Sequence, residues 1–206
     1  VNAQARSSKA EARTQAQRER ILCAAQQCFI EHGIHAAGMA RIAETAGMSP
    51  GLIYRYFESK SAIIQAIVER QLELLREDIR LNRRVDLVQE MTEGYGRTCN
   101  ADGRRLSGAL LLELSAEATR DPQIADAVSH FDVNLRQALE LWLSRSASEG
   151  GKGLPASITP ARALIIQLLF EGLRVRETRE PGLDRELLMT ALDQALSPLF
   201  RHDDRT

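Results

Sequence analysis

MARIAETAGMSPGLIYRYFESK, residues 39–60, holds two short helical patterns on either side of Gly47. In the first, Met39–Ala46, Ile42 and Ala46 fall one turn apart; in the second, Pro50–Phe57, Ile53 and Phe57 do the same. Ala43 is small at the point where two crossing helices must approach closely. Ser49 is placed to cap the second helix through its hydroxyl. Pro50 suits the first helical position, where no N–H partner is lost. The spacing predicts a helix-turn-helix, whose second helix enters the major groove of DNA.

Helical geometry then assigns the faces. Ile53 and Phe57 turn inward with Tyr56 near them, so Gly51, Tyr54 and Arg55 turn outward. Gly51 lets the backbone approach DNA. Arg55 offers two donors to guanine O6 and N7, or one to a phosphate. The hydroxyls of Tyr54 and Tyr56 reach phosphate oxygens, which positions a helix without reading sequence. Lys60 stands beside Ser59, the expected cap of the following helix, where its ammonium and the positive helix end act on a phosphate together. The expected DNA-binding set is Gly38, Arg41, Ser49, Pro50, Gly51, Tyr54, Arg55, Tyr56 and Lys60.

Upstream, residues 14–32 read as a bracing helix with Ile21, Leu22, Ala25 and Phe29 on one face and Gly33 as its stop. Residues 1–13 have no hydrophobic period and carry Arg6, Lys9 and Arg13, the pattern of a basic flexible arm. Residues 1–60 hold eight Lys/Arg against five Glu, so a +3 end sits on a −4 remainder, within a net charge of −1. The phosphate-seeking surface is therefore at the N-terminal end.

GMARIAETAGMSPGLIYRYFESK resembles the TetR/AcrR family of one-component transcriptional regulators. The likeness rests on Ile42, Ala43, Ala46, Gly47, Ser49, Gly51, Ile53, Tyr54, Tyr56, Phe57 and Lys60, with the Phe29-to-Gly33 spacing before them. It covers about residues 14–75. It implies an all-α protein of about nine helices, with an N-terminal three-helix DNA-binding domain and a C-terminal helical domain for ligand binding and dimerisation. The resemblance further implies a homodimeric repressor released from double-stranded operator DNA by a small molecule. One departure stands out: Ala37-Gly38 occupy the place where the family commonly has Thr or Ser, which caps the second helix and touches phosphate. Only a backbone role is expected of Gly38, and the lost side-chain cap costs about 1 kcal/mol.

The resemblance divides the chain into an arm (1–13), a DNA-binding domain (14–60), an effector-binding and dimerisation domain (61–200) and a tail (201–206). From Ser61 a long helix reaches about Asn82, with Ile63, Ile64, Ile67, Val68, Leu72, Leu75 and Ile79 at three- and four-residue steps. Residues 84–99 continue as a helix interrupted around Gly94-Tyr95-Gly96. Residues 104–119 read as a helix burying Leu110, Leu111, Leu112 and Leu114. Asp121-Pro122 opens another that runs to about Ser148, followed by a flexible loop over 149–155. Thr159-Pro160 starts the next helix, with Thr159 as cap. This helix and the last, from Asp184, carry apolar residues over a wide arc, more than one core face needs. Leu164, Leu168, Leu188, Leu192 and Ala195 are the expected four-helix contact between two copies. A mainly apolar ligand pocket is expected at Tyr95, Phe131, Trp142 and Phe170, with Cys99, Glu113 and His130 as polar groups.

The composition, 44% hydrophobic and 4% aromatic, favours helices over a sheet rich in aromatics. No apolar run spans a membrane or forms a signal-peptide core, so a cytoplasmic protein is expected. Cys23, Cys28 and Cys99 form no CxxC pair and read as reduced. The four histidines, His32, His35, His130 and His202, show no metal spacing, and no P-loop, dinucleotide fingerprint, nucleophile elbow or HExxH occurs. No cofactor, metal or catalysis is expected. The competing readings are a helical scaffold or adaptor and a small helical enzyme.

Overall fold

A computed structural model describes residues 2–81, 86–96 and 107–201. Nine α-helices and two short 3-10 turns make up its regular structure, with no strand among the described residues. The first helix, α1, spans Asn2–Ala36. The expected arm is thus the start of this helix. Its Ala, Gln, Arg and Glu residues are good helix formers. Residues 9–16 lie exposed, so no apolar period was needed to hold them helical. Gly33 does end the regular run, but as a kink (φ 77°, ψ 153°) after which one more turn follows. That backbone conformation is open to glycine and strained for other residues.

The helix-turn-helix is α2 (Met39–Thr45) and α3 (Pro50–Tyr54), followed by the long α4 (Lys60–Leu81). The body contains α5 (Leu87–Gly94), α6 (Gly108–Ala118), α7 (Pro122–Ser144), α8 (Thr159–Arg179) and α9 (Arg185–Leu196). Two apolar cores hold these helices together. The first gathers Ile21, Phe29, Ile42, Ile53, Phe57, Ile63 and Ile67, and runs on into the body through Leu110, Leu114 and Ile124. The second gathers Met91, Tyr95, Leu139, Trp142, Ile166 and Leu192. Phe131 touches both. Each fully buried Ile or Leu contributes about 1.5–3 kcal/mol, so the shared first core joins head and body.

Side-chain caps fix several helix starts. Asp121 accepts from the backbone N–H groups of Gln123 and Ile124, and its other carboxylate oxygen accepts from Ser61 Oγ at 3.1 Å. The start of α4 is therefore tied to the start of α7. Asp86, Ser107 and Asp184 cap α5, α6 and α9 in the same way.

Four local expectations change. Thr159 is the first residue of α8 rather than its cap; its hydroxyl donates back to the Ala156 carbonyl, and Ile158 takes the cap position. Helix α7 ends at Ser144, and residues 147–149 form a 3-10 turn closed by a capping box from Ser146 and Glu149. The loop over 149–155 is anchored: Trp142 Nε1 donates to the Gly150 carbonyl at 3.2 Å, Leu154 is buried, and Lys152 Nζ lies 5.3 Å and 4.7 Å from the Trp142 and Phe200 ring centres. On α6 only Leu110 and Leu114 are buried, while Leu111 is half-buried and Leu112 exposed. One helix face cannot hold four leucines spread over five positions.

Candidate nucleic-acid interface

Helices α2 and α3 cross over the expected buried contacts: Ile42, Ala43, Ala46, Ile53 and Phe57 are all buried. Gly47 makes the turn with φ 62°, and a Cβ there would lie 2.8 Å from Arg20 Nη2. The turn therefore favours glycine for its backbone conformation, while the flexible tip of Arg20 can give way to a Cβ. Ser49 Oγ accepts from the Leu52 N–H at 3.3 Å, and Pro50 occupies the first turn. Gly38 caps α2 through extended backbone (φ −82°, ψ 163°) with no side-chain bond, as the Ala37-Gly38 departure predicts.

The outward face is the one expected. Gly51, Tyr54 and Arg55 are exposed, Tyr54 at 55%. Gly38, Arg41, Ser49 and Pro50 are exposed beside them. The recognition helix is shorter than its sequence period, because Arg55 is already its C-cap and Tyr56 begins the turn out. Arg18, on α1, explains how so short a helix is held. Its Nη1 donates to the Tyr56 carbonyl at 2.9 Å, and its guanidinium lies 4.3 Å from the Phe57 ring centre. One side chain thus satisfies a C-terminal carbonyl and stacks on the aromatic ring beside it. Helical periodicity puts Arg18 away from the apolar face of α1. Its distance of 38 residues from Tyr56 left no local signal.

Two DNA-facing candidates sit differently. Tyr56 is half-buried and packs against the first core. Lys60 Nζ donates to the Ile34 carbonyl at 2.7 Å and to the His35 carbonyl at 3.4 Å. The ammonium closes the C-terminal end of α1, where carbonyls lack helical partners and the helix dipole favours a cation. This engagement replaces the free phosphate-seeking ammonium expected from Lys60. Ser59 does cap α4, accepting from the Ala62 N–H at 3.1 Å.

Residues 21–67 match the model of the bacterial regulatory proteins, tetR family. The chain is 40% identical over 142 residues to the HTH-type transcriptional regulator UidR of Escherichia coli K12, covering 67% of this chain and 69% of UidR. It is 30% identical over 135 residues to the HTH-type transcriptional repressor AcnR of Corynebacterium glutamicum, covering 65% and 67%. Among solved structures, Salmonella enterica GusR superposes with a TM-score of 0.65 at 25% identity, covering 88% of this chain and 96% of GusR. The chain belongs to the TetR family. It is a ligand-responsive, DNA-binding transcriptional regulator and not an enzyme. TetR-family regulators bind operator DNA and small effectors.

Of the residues expected to line an effector pocket in this TetR-family body, the four aromatics gather at the second core, while Glu113 and His130 lie away from it. Tyr95 and Trp142 are buried in the second core and already bonded: Tyr95 Oη donates to the Glu180 carbonyl at 2.8 Å, and Trp142 donates to Gly150. Burial and the Glu180 carboxylate push the Tyr95 phenol above its usual value, so it stays a donor. Glu113 serves another purpose, accepting from the Ile34 N–H at 3.0 Å just past the Gly33 kink. His130 is exposed on α7, because it lies on the helix side opposite Leu135 and Leu139. Phe131 and Phe170 remain half-buried at the second core, with the Arg174 guanidinium 5.0 Å from the Phe170 ring centre. Cys99 lies outside the described residues.

A polar group missed in the sequence sits between α7 and α8. Gln167 is buried, its Oε1 meets no donor among the described residues, and its side chain lies beside Asp132. Burial, then the Glu171 carboxylate, raise the Asp132 carboxyl above the usual range.

The expected dimer residues divide into two sets. Leu164 and Leu168 are exposed at 41% and 56%, and Ala195 is exposed on α9. Leu188 and Leu192 are buried in the second core, so they hold α9 to its own chain. Leu187 and Met189 are the large exposed apolar residues of α9 instead. The wide apolar arc therefore has an inner half and an outer half, which composition alone did not separate. Among the described residues no helix is long and apolar enough to cross a membrane, and no cluster of potential metal ligands occurs.

Proposed function

We propose that the chain works as a homodimeric, cytoplasmic repressor that leaves its operator when a small molecule binds. The observation that carries this reading is the rigidly backed face of Gly51, Tyr54 and Arg55. In this reading residues 14–60 hold DNA and residues 61–200 bind effector and partner, while residues 1–13 lie along the DNA and 201–206 form a tail. Arg55 reads a base edge. Tyr54, Arg41, Ser49, Pro50 and the Gly38 backbone meet phosphate, and Gly51 allows the approach. Tyr56 and Lys60 act mainly by fixing the edge of that face.

Support for dimerisation comes from the outer stripe of α8. Ala161, Leu164, Ile165, Leu168 and Gly172 are all exposed and fall on one side of the helix. Leu187, Ala191 and Ala195 make a similar exposed stripe on α9. Exposed apolar stripes of this kind support the reading of an interface. Two copies meeting through both stripes form a four-helix contact and set the spacing of two recognition helices. The effector is assigned to the body around Phe131 and Phe170. Repression follows from a bound dimer obstructing polymerase, the direction named for AcnR of Corynebacterium glutamicum.

Selection of bound fragments from the source genome tests the reading. A two-fold symmetric site whose binding weakens with salt is expected. Recovery of no preferred sequence would sink it, and the genes beside the recovered sites would indicate the effector's class.

A further inference from the structure

An open cleft lies at the seam between the DNA-binding helices and the body. Its volume is about 820 Å³, within the usual range for small-molecule sites. One wall is a stripe of α1 that includes Cys23, Ile30 and Glu31. A second is the end of α2 and its turn, Glu44–Gly47. The remaining walls are the start of α6 at Ser107–Ala109 and the end of α8 at Glu177 and Thr178.

Its chemistry is amphipathic. Ile30 is 38% exposed, one of few large apolar side chains exposed in the head, and it opens into this cleft. Ala24, Ala46, Ala109 and Pro181 add apolar surface. Of the charged groups, three are carboxylates (Glu31, Glu44 and Glu177) and one is a cation (Arg20). Arg20 turns to the Gly47 carbonyl, and Glu177 is neutralised by Arg174 at 2.9 Å. Glu31 accepts from Gln27 Nε2 at 3.0 Å, and among the described residues its one ionic neighbour is His32, 3.8 Å away. Glu44 is exposed and makes no side-chain bond among the described residues. Two carboxylates without a permanent counter-charge beside an apolar floor complement an organic cation with an apolar body.

We infer that this cleft is a second ligand site, distinct from the body site proposed above, and that it takes an amphipathic organic cation. Its position gives it a consequence for DNA binding. The same occupant touches the Thr45–Gly47 turn that launches the recognition helix and the ends of α6 and α8 in the body. A bound cation thus favours one placement of head against body, and operator affinity changes as far as DNA prefers another.

Calorimetry of the full chain with benzyltrimethylammonium, and with benzenesulfonate as an anion of similar size, tests the site. The cation is expected to bind and the anion not. Both Glu44→Gln and Ile30→Ser change exposed side chains, so the fold should persist, as thermal melting will verify. Each should weaken cation binding roughly five- to tenfold. Absence of binding, equal binding of the anion, indifference to both variants, or loss on Phe170→Ala alone would each overturn the assignment. Operator affinity is measured separately with and without the cation. A chain that binds the cation but no operator would fail as a regulator while keeping the cleft site.

Discussion

Arg18 Nη1 sits 2.9 Å from the carbonyl oxygen of Tyr56, so the bracing helix holds the exit of the recognition helix through one guanidinium. Arg18→Ala removes this bond and the stacking on Phe57. A hydrogen bond from a charged group is worth about 1.5–3 kcal/mol, so both thermal stability and operator affinity should fall. Arg18→Lys keeps the charge but not the planar fork. It should recover stability only in part, read by melting and by DNA titration at fixed salt. Full recovery by lysine would show that charge alone suffices.

The Glu113 carboxylate and the Ile34 N–H, 3.0 Å apart, make a polar bond between body and head. Glu113→Ala leaves a half-buried N–H without its acceptor, at about 1–3 kcal/mol. Urea unfolding should register the loss, and amide exchange at Ile34 should accelerate. Exchange at wild-type rate in the variant would mean that the bond does not protect this turn.

Arg55 and Tyr54 separate base reading from positioning. Arg55→Ala should change preference at particular base pairs by about 1–3 kcal/mol if its contact is bidentate to guanine. Tyr54→Phe should weaken binding by a similar factor for every sequence. Binding selections that returned an unchanged preference for Arg55→Ala would remove it from base readout.

Leu168 and Leu192 give opposite outcomes although both lie in apolar arcs. Leu168→Glu places a charge on the exposed α8 stripe and should yield a folded monomer by light scattering. Leu192→Ala hollows the body core and should cost about 2–5 kcal/mol. A Leu168→Glu protein that stays dimeric would place the interface elsewhere.

Asp132 provides a pH signature. Its folded-state carboxyl is raised by burial and by Glu171. The folded state therefore binds the proton more readily than the unfolded state. The ionised carboxylate costs stability at neutral pH, and the cost is relieved as pH falls through the raised value toward the ordinary Asp value near 3.9. Asp132→Asn should melt higher than wild type at pH 7, with the gap closing as the buffer approaches pH 4. A gap independent of pH would show that packing, not charge, separates the two proteins.

Local chemistry made much of the head legible in sequence. Ser49-Pro50, the glycine turn at 47 and the Ile42/Ala46 and Ile53/Phe57 spacings each carry their own signal within a few residues, and all are found as expected. What escaped depends on distant partners. Arg18 with Tyr56, Lys60 with Ile34 and Glu113 with Ile34 are 38, 26 and 79 residues apart. No periodicity encodes such pairs. The body was read less well for a related reason. Leu188 and Leu187 are adjacent and equally apolar, yet one is core and the other exposed. Only the placement of α9 against α5 distinguishes them. The helical start of α1 carries no apolar repeat, because an exposed helix needs none.

Trp142 is the chain's single tryptophan, and it is 1% exposed beneath the Phe200 ring, with centroids 5.8 Å apart. The molecule thus carries one indole fluorophore, sited wholly in the body. Excitation at the red edge of protein absorbance follows the environment of α7 and leaves the DNA-binding head silent. Backbone dichroism, in contrast, sums over both. Melting curves recorded by the two signals will coincide if head and body unfold as one through their shared core, and will part if the head opens first.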